Sequence, residues 1–153
     1  MEKTDKNTEA LATQTRDNSV GWLLNVMTRT VNDIMKKALE PLALSQEQFA
    51  ILMTLLTKDG ISQSAIGKQV ILPGYAMTRN LDALEERGFI ERQPDKNSRR
   101  SFCIMLTEEG KALAPTLFTI VSGVNEQLLS GLEENEVSQL KALLTKLMVT
   151  NLK

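Results

Sequence analysis

Apolar residues recur at spacings of three and four along most of this chain, the mark of helices with one face turned to a core. From Asn18 or Ser19 the run SVGWLLNVMTRTVNDIMKKALEPLAL places Val20, Leu23, Leu24, Met27, Val31, Ile34 and Leu39 on one stripe of a long helix, which Pro41 ends. Trp22 and Val26 lie off that stripe, so the helix is apolar on more sides than one neighbour requires, and a contact between subunits is the natural use. In LSQEQFAILMTLLTKDG, Ser45 and Gln48 are spaced as a capping box, and Phe49, Leu52, Met53 and Leu56 carry a second helical face as far as Gly60. Residues 1–17 are different: polar, without helical periodicity over most of their length, they read as a flexible arm whose ordering entropy burial would not offset.

The segment ISQSAIGKQVILPGYAMTRNLDALEERGF holds two short helical patterns with a break between them. Ser62 caps the first, whose Ile66 and Val70 face the core; Pro73 and Gly74 interrupt; Met77, Leu81 and Leu84 form the core stripe of the second, which stops at Gly88. This is a helix-turn-helix pattern. Behind it FIER and SFCIML predict two short strands around a polar turn, a hairpin whose tip is RQPDKNSRR, Arg92 to Arg100. Thr107 with Glu108 and Glu109 starts a further helix lined by Leu113, Leu117, Ile120, Val121, Val124 and Leu128, with Pro115 inside it predicting a kink. A last helix carries Val137, Leu140, Leu144 and Leu147.

Composition agrees with a mainly helical single domain. The 153 residues suffice for a hydrophobic core, and the apolar content is 42% with only 4% aromatic. The chain has no His and one cysteine, Cys103, which excludes an intramolecular disulfide and removes the usual ligands of a zinc site and the usual general base. With no glycine-rich phosphate loop or activated nucleophile either, an enzyme is a poor fit and no cofactor or metal is expected. No stretch resembles a signal peptide or a membrane span, so a cytoplasmic protein is expected.

Charge changes the picture at one place. The net charge is -1, yet Arg92, Lys96, Arg99 and Arg100 face only Asp95 within the hairpin tip. Such a tip directly after a helix-turn-helix suits a duplex, the second helix entering the major groove and the hairpin reaching the neighbouring minor groove or backbone. The fold class expected is therefore mainly α, a winged helix-turn-helix lobe with N- and C-terminal helices for dimerisation. Tyr75, Ala76, Thr78, Arg79 and Asp82 lie off the core stripe of the second helix, and Arg79 is the best candidate to read a base, the alternative being an ion pair with Asp82. Tyr75 either contacts DNA or packs at the helix start. Glu85 and Glu86 point about 100° apart and read as a solvated face. Cys103, in an apolar strand segment, reads as an inert thiol rather than a redox switch. Met27, Met35, Met53 and Met77 read as core filling before pocket lining. Trp22 suits a ligand or a dimer anchor, and Trp22, Val26 and Met53 are the candidate residues of a ligand pocket.

The chain resembles the MarR family of bacterial transcriptional regulators, most densely in LALSQEQFAILMTLL, MTRNLDALEERGFIERQPD and RRSFCIMLTEEGKAL. The resemblance implies a symmetric homodimer with intertwined terminal helices (18–44 and 107–153) and two winged-helix lobes (45–106) that read double-stranded DNA at the half-sites of a pseudo-palindrome. It implies a repressor, often relieved by a small lipophilic effector or by cysteine oxidation. By motif match the recognition helix runs from about Tyr75 to Arg87, with Thr78 and Arg79 facing DNA. Ser62, Gln63 and Ser64 fall at the start of the supporting helix, where phosphate is held, and Lys96, Asn97, Ser98, Arg99 and Arg100 form the wing tip. Ser98 stands where the family usually carries Asp, so the carboxylate that would orient a wing arginine is missing. Val20, Leu23, Leu24, Met27, Val124, Leu128, Leu140, Leu144 and Leu147 are the expected dimer contacts. The alternative is a dimeric winged-helix protein that regulates through a protein partner without binding DNA.

Overall fold

Leu39, Ile51, Leu52, Leu55, Ile66, Met77, Leu81, Leu84, Ile90, Ile104 and Leu117 are all but sealed from solvent, and they tie one end of a long helix to a small helical lobe with a three-stranded sheet. The computed structural model describes residues 2–95 and 101–151. Their order is α1 (Glu2–Asp17), α2 (Val20–Leu39), a single 3-10 turn (Glu40–Leu42), α3 (Gln46–Thr57), β1 (Ile61–Ser62), α4 (Gln63–Val70), α5 (Gly74–Glu86), β2 (Ile90–Pro94), β3 (Phe102–Leu106), α6 (Glu108–Ala112), α7 (Ala114–Leu129) and α8 (Glu134–Asn151). The sheet is antiparallel in the order β1-β3-β2, with Ile61 opposite Ile104 and Arg92 opposite Ile104 from the other side.

The ends of the helices follow local chemistry. Ser19 caps α2, accepting from the backbone N–H of Trp22. The capping box of α3 is complete: Ser45 Oγ accepts from Gln48 N–H at 3.1 Å, and Gln48 Oε1 accepts from Ser45 N–H at 3.1 Å. α3 buries Phe49, Ile51, Leu52 and Leu55, while Met53 and Leu56 pack half-buried against the core. Its apolar face is thus wider than the expected one, because α2, α4, α5, α7 and β3 all lie against it.

Three expectations are corrected. Residues 2–17, expected to be an irregular arm, form a helix. Nine of its sixteen residues, Glu2, Lys3, Lys6, Glu9, Ala10, Leu11, Ala12, Gln14 and Arg16, are strong helix formers, which need no continuous stripe. It rests on the start of α2, where the Arg16 guanidinium lies 5.6 Å over the Trp22 ring. Pro115 does not kink one helix but separates two: it falls in the first turn of α7, where its missing N–H leaves no bond unmade, and α6 closes at Leu113. Val124, expected at the subunit contact, is only 5% exposed within the single chain and sits on the side of α7 turned to α2.

The two long terminal helices bury remarkably little for their length within one chain. α2 seals only Leu39, and α8 seals nothing. Val20, Leu23, Leu24, Met27, Leu144 and Leu147 are all exposed, and Leu128 and Leu140 half-exposed.

Candidate nucleic-acid interface

The helix-turn-helix is made by α4 and α5. Ser62 Oγ accepts from Ala65 N–H at 3.2 Å and starts α4; Ile71 adopts the left-handed conformation at φ 54° and ends it, its N–H bonded to the Gly67 carbonyl. Pro73 then initiates α5, its carbonyl accepting from Met77 N–H at 3.0 Å. Met77, Leu81 and Leu84 pin the inner face, and Asn80 beside them satisfies its buried amide on the Ala76 carbonyl at 2.9 Å. The outer face carries Tyr75, Thr78, Arg79 and Asp82 at helical spacings of three and four, all exposed. Ala76, expected among them, is 8% exposed and belongs to the inner side, because it falls beside Met77 and one turn before Asn80.

Asp82 is engaged by a wing residue. Arg92 on β2 donates from Nη2 to Asp82 Oδ1 at 2.5 Å and from Nη1 to Glu85 Oε2, and its backbone N–H donates to Glu85 Oε1 at 2.9 Å. Partial burial pulls the Arg92 guanidinium down, but hydrogen bonds and charge from Asp82 and Glu85 together hold it above its usual range. One alternative falls and one reading changes. Arg79 is not the partner of Asp82, and the positive charge of Arg92, counted with the hairpin tip, is spent inside the protein. Arg92 bridges the carboxylates of Asp82 and Glu85, offsetting one of their two charges, and fixes the wing strand to α5. Arg92→Ala is expected to lower stability by about 1–2 kcal/mol, discounted because Asp82 is largely exposed. Urea unfolding of the variant measures it, and an unchanged midpoint contradicts the clamp.

A second arginine braces the same, C-terminal end of α5 against another element. Arg87 donates from Nη1 to the Ala43 carbonyl and from Nη2 to the Leu42 carbonyl, both at 2.8 Å, and lies 4.7 Å over the Phe89 ring. These carbonyls belong to the link between α2 and α3, so α5 is held to the end of the long N-terminal helix. Nothing in the spacing of the sequence pairs residue 87 with 42 and 43, and the same holds for Arg92 with Asp82 and Glu85.

In the wing, β2 and β3 pair from Ile90 opposite Leu106 to Pro94 opposite Phe102, and Asp95 N–H donates to the Ser101 carbonyl at 2.9 Å. The expected tip contacts Lys96, Asn97, Ser98, Arg99 and Arg100 lie outside the described residues. At the start of α4, Ser64 is exposed, Ser62 is half-buried with its hydroxyl on the helix cap, and Gln63 Nε2 donates to Thr78 Oγ1 at 2.8 Å. The first turns of α4 and α5 thus meet on one surface.

The pocket residues do not converge. Trp22 lines a groove with Leu11, Ala12, Thr15 and Arg16 of α1, Val26 is exposed, and Met53 packs against the core. An apolar groove of about 590 Å³ lies elsewhere, between α2, α7 and α8, lined by Leu24, Met27, Val31, Leu128, Leu140 and Leu144 among others. Of the four methionines, Met77 is core, Met35 and Met53 pack against it, and Met27 opens into this groove. Cys103 is half-buried on β3. Among the described residues no cluster of His, Cys, Asp or Glu is arranged to hold a metal ion, and no helix is long and apolar enough to cross a membrane.

Known proteins share this arrangement. The family model for the MarR family matches residues 44–102, from the residue before the α3 cap to the first residue of β3. The multiple antibiotic resistance protein MarR of Escherichia coli is 27% identical over 130 residues, covering 84% of this chain and 90% of the relative. The crystal structure of a MarR transcriptional regulator from Methanosarcina mazei superposes with a TM-score of 0.81 at 28% identity, over 87% of this chain and 96% of that one. A MarR mutant from Escherichia coli, crystallised with operator DNA, superposes with a TM-score of 0.76 at 27% identity, over 84% and 93%. The helix-turn-helix, the wing and the terminal helices of this chain are thus similar to those of MarR family transcriptional regulators.

Proposed function

We propose that the protein binds an inverted-repeat operator as a homodimer in the cytoplasm and represses the promoter that contains it. The observation that carries this reading is the outer face of α5: Tyr75, Thr78 and Arg79 stand exposed on a helix whose inner face is locked into the core and whose C-terminal half is braced by Arg92 and Arg87. A rigid helix with exposed polar side chains in its first turns suits the major groove. The similarity to a structure crystallised with operator DNA supports the same use. Phosphate contacts from the first turn of α4 and from the wing supply affinity, and α5 supplies specificity.

Dimerisation is supported by the unburied apolar faces of α2 and α8. A second copy laid along Leu24, Met27, Leu144 and Leu147 would bury them. The groove between α2, α7 and α8 has the volume of a small-molecule site, and a lipophilic effector that took the place of the partner's side chains there would respace the two lobes and release DNA.

Selection of bound sequences from a pool of random duplex tests the reading. An enriched inverted repeat is the expected result; a protein that regulates only through a protein partner would enrich nothing. Arg79→Ala is expected to reduce discrimination between the selected operator and its single-base variants at one position per half-site by about 1–3 kcal/mol, as for a side chain bidentate to guanine. Competition titration with those variants reads it, and an unaltered ranking removes Arg79 from base reading.

A further inference from the structure

Asp82 puts a carboxylate on the face of α5 that the proposal above turns to DNA. It stands one turn after Thr78 and Arg79 with its side chain 61% exposed, and Glu86 is exposed a further turn on. A duplex carries one negative charge per about 1.7 Å of axis. In a major groove about 12 Å wide, a side chain on the entering helix lies within about 6 Å of one of the two phosphate rows. That is shorter than the screening length of about 8 Å at physiological salt, so a bare carboxylate there is repelled. Asp82 is not bare. Arg92 on β2 donates from Nη2 to its Oδ1 at 2.5 Å and from Nη1 to Glu85. The Arg92 side chain is only 24% exposed, so its charge sits behind the carboxylates rather than on the surface where a phosphate could take it. Arg79, the cation one turn earlier, makes no ion pair among the described residues, and its charge is not spent on Asp82.

We infer that Arg92 is a charge-compensating residue for DNA binding: it holds Asp82 as one half of an ion pair, so that α5 enters the groove without an unpaired carboxylate facing the phosphates. The inference rests on the DNA-reading proposal above and adds to it a residue of the wing strand that need not touch DNA. With Arg92 in place, the cluster of Arg92, Asp82 and Glu85 keeps one uncompensated negative charge; without it, two. Removing Asp82 as well returns the cluster to one, although the link between wing and helix stays broken. Charge and clamp are thereby separable.

The test is titration of the full chain and its variants with the duplex that wild type selects from a random pool, at several salt concentrations and with thermal melting of each variant. Arg92→Ala is expected to bind roughly tenfold more weakly at low salt, as for one extra charge close to several phosphates in water, and the deficit should shrink as salt rises. Arg92→Ala combined with Asp82→Asn should recover most of that affinity while its melting temperature stays as low as that of Arg92→Ala. A clamp that served structure alone would give a deficit that salt does not change and that Asp82→Asn does not relieve; either result overturns the inference while leaving DNA reading in place. So does Arg92→Ala binding as tightly as wild type. A wild-type pool with no enriched sequence overturns DNA reading and the inference with it. Where Arg92→Ala does not fold, Asp82→Asn alone decides. With one negative charge fewer on the face, it should bind a scrambled duplex at low salt more tightly than wild type does, and equal or weaker binding overturns the inference.

Discussion

Gly110→Ala is expected to destabilise the protein by about 3 kcal/mol or more, at the upper end for forcing one methyl into a packed site. A Cβ on Gly110 would stand 2.0 Å from the Phe89 carbonyl oxygen and 3.1 Å from a methyl of Leu106. The obstacle is backbone, not the far end of a flexible side chain, so it does not step aside cheaply. That same carbonyl accepts from Thr107 N–H at 3.1 Å, and Thr107 Oγ1 donates to the Gly88 carbonyl at 2.5 Å. Moving it pulls α6 away from the turn between α5 and β2, and so loosens the wing from the helix it serves. For a chain of this size the expected fall in Tm is roughly 6–12 °C. Gly123→Ala is the contrast. Nothing lies within 4 Å of its Cβ position, and in a helix interior the change should stabilise by about 0.5–1 kcal/mol. Equal melting temperatures for the two variants would contradict the packing described at Gly110.

Leu144→Asp is expected to weaken self-association by about a thousandfold or more. Leu144 lines the apolar groove with Leu24, Met27 and Leu140 and is 37% exposed in the single chain. In a two-fold contact each substitution appears twice, so two carboxylates would lose water among apolar side chains at a combined penalty of about 4 kcal/mol or more. α8 seals nothing in its own chain, so the fold of the winged lobe should survive and the far-ultraviolet spectrum should change little. Sedimentation equilibrium reads the dimer constant, and operator affinity should fall with it, since the second half-site is no longer held at high effective concentration. A variant that remains dimeric at the wild-type concentration would show that the dimer uses another face.

The elements of this fold are legible in the sequence wherever a helix has one neighbour or a marked end. Ser45 with Gln48, Ser62, Pro41, Gly88 and Thr107 announce their caps and stops locally, and the inner stripe Met77, Leu81, Leu84 announces α5. Legibility fails where tertiary contacts decide. α3 is apolar on several sides, so periodicity could not rank Ile51 and Leu55 above Met53 and Leu56. β1 is two residues long and exists only because Ile61 and Ser62 meet β3. The helical arm at 2–17 carries propensity without a stripe. At the site, the outward set Tyr75, Thr78 and Arg79 follows from subtracting the inner stripe, and Ala76 escapes the subtraction because a small side chain sits as well on either side. The bonds of Arg92, Arg87 and Gln63 join residues that no local pattern connects, and these decide how rigidly the outer face is presented.

The central claim is that this outer face reads base sequence. Affinity for the selected operator, compared at fixed salt with affinity for a scrambled duplex of equal length, measures it most directly. The ratio should reach about 10³ or more, because phosphate contacts are common to both duplexes and only base reading separates them. A ratio near one would mean that the protein holds DNA by charge alone and that α5 does not read it.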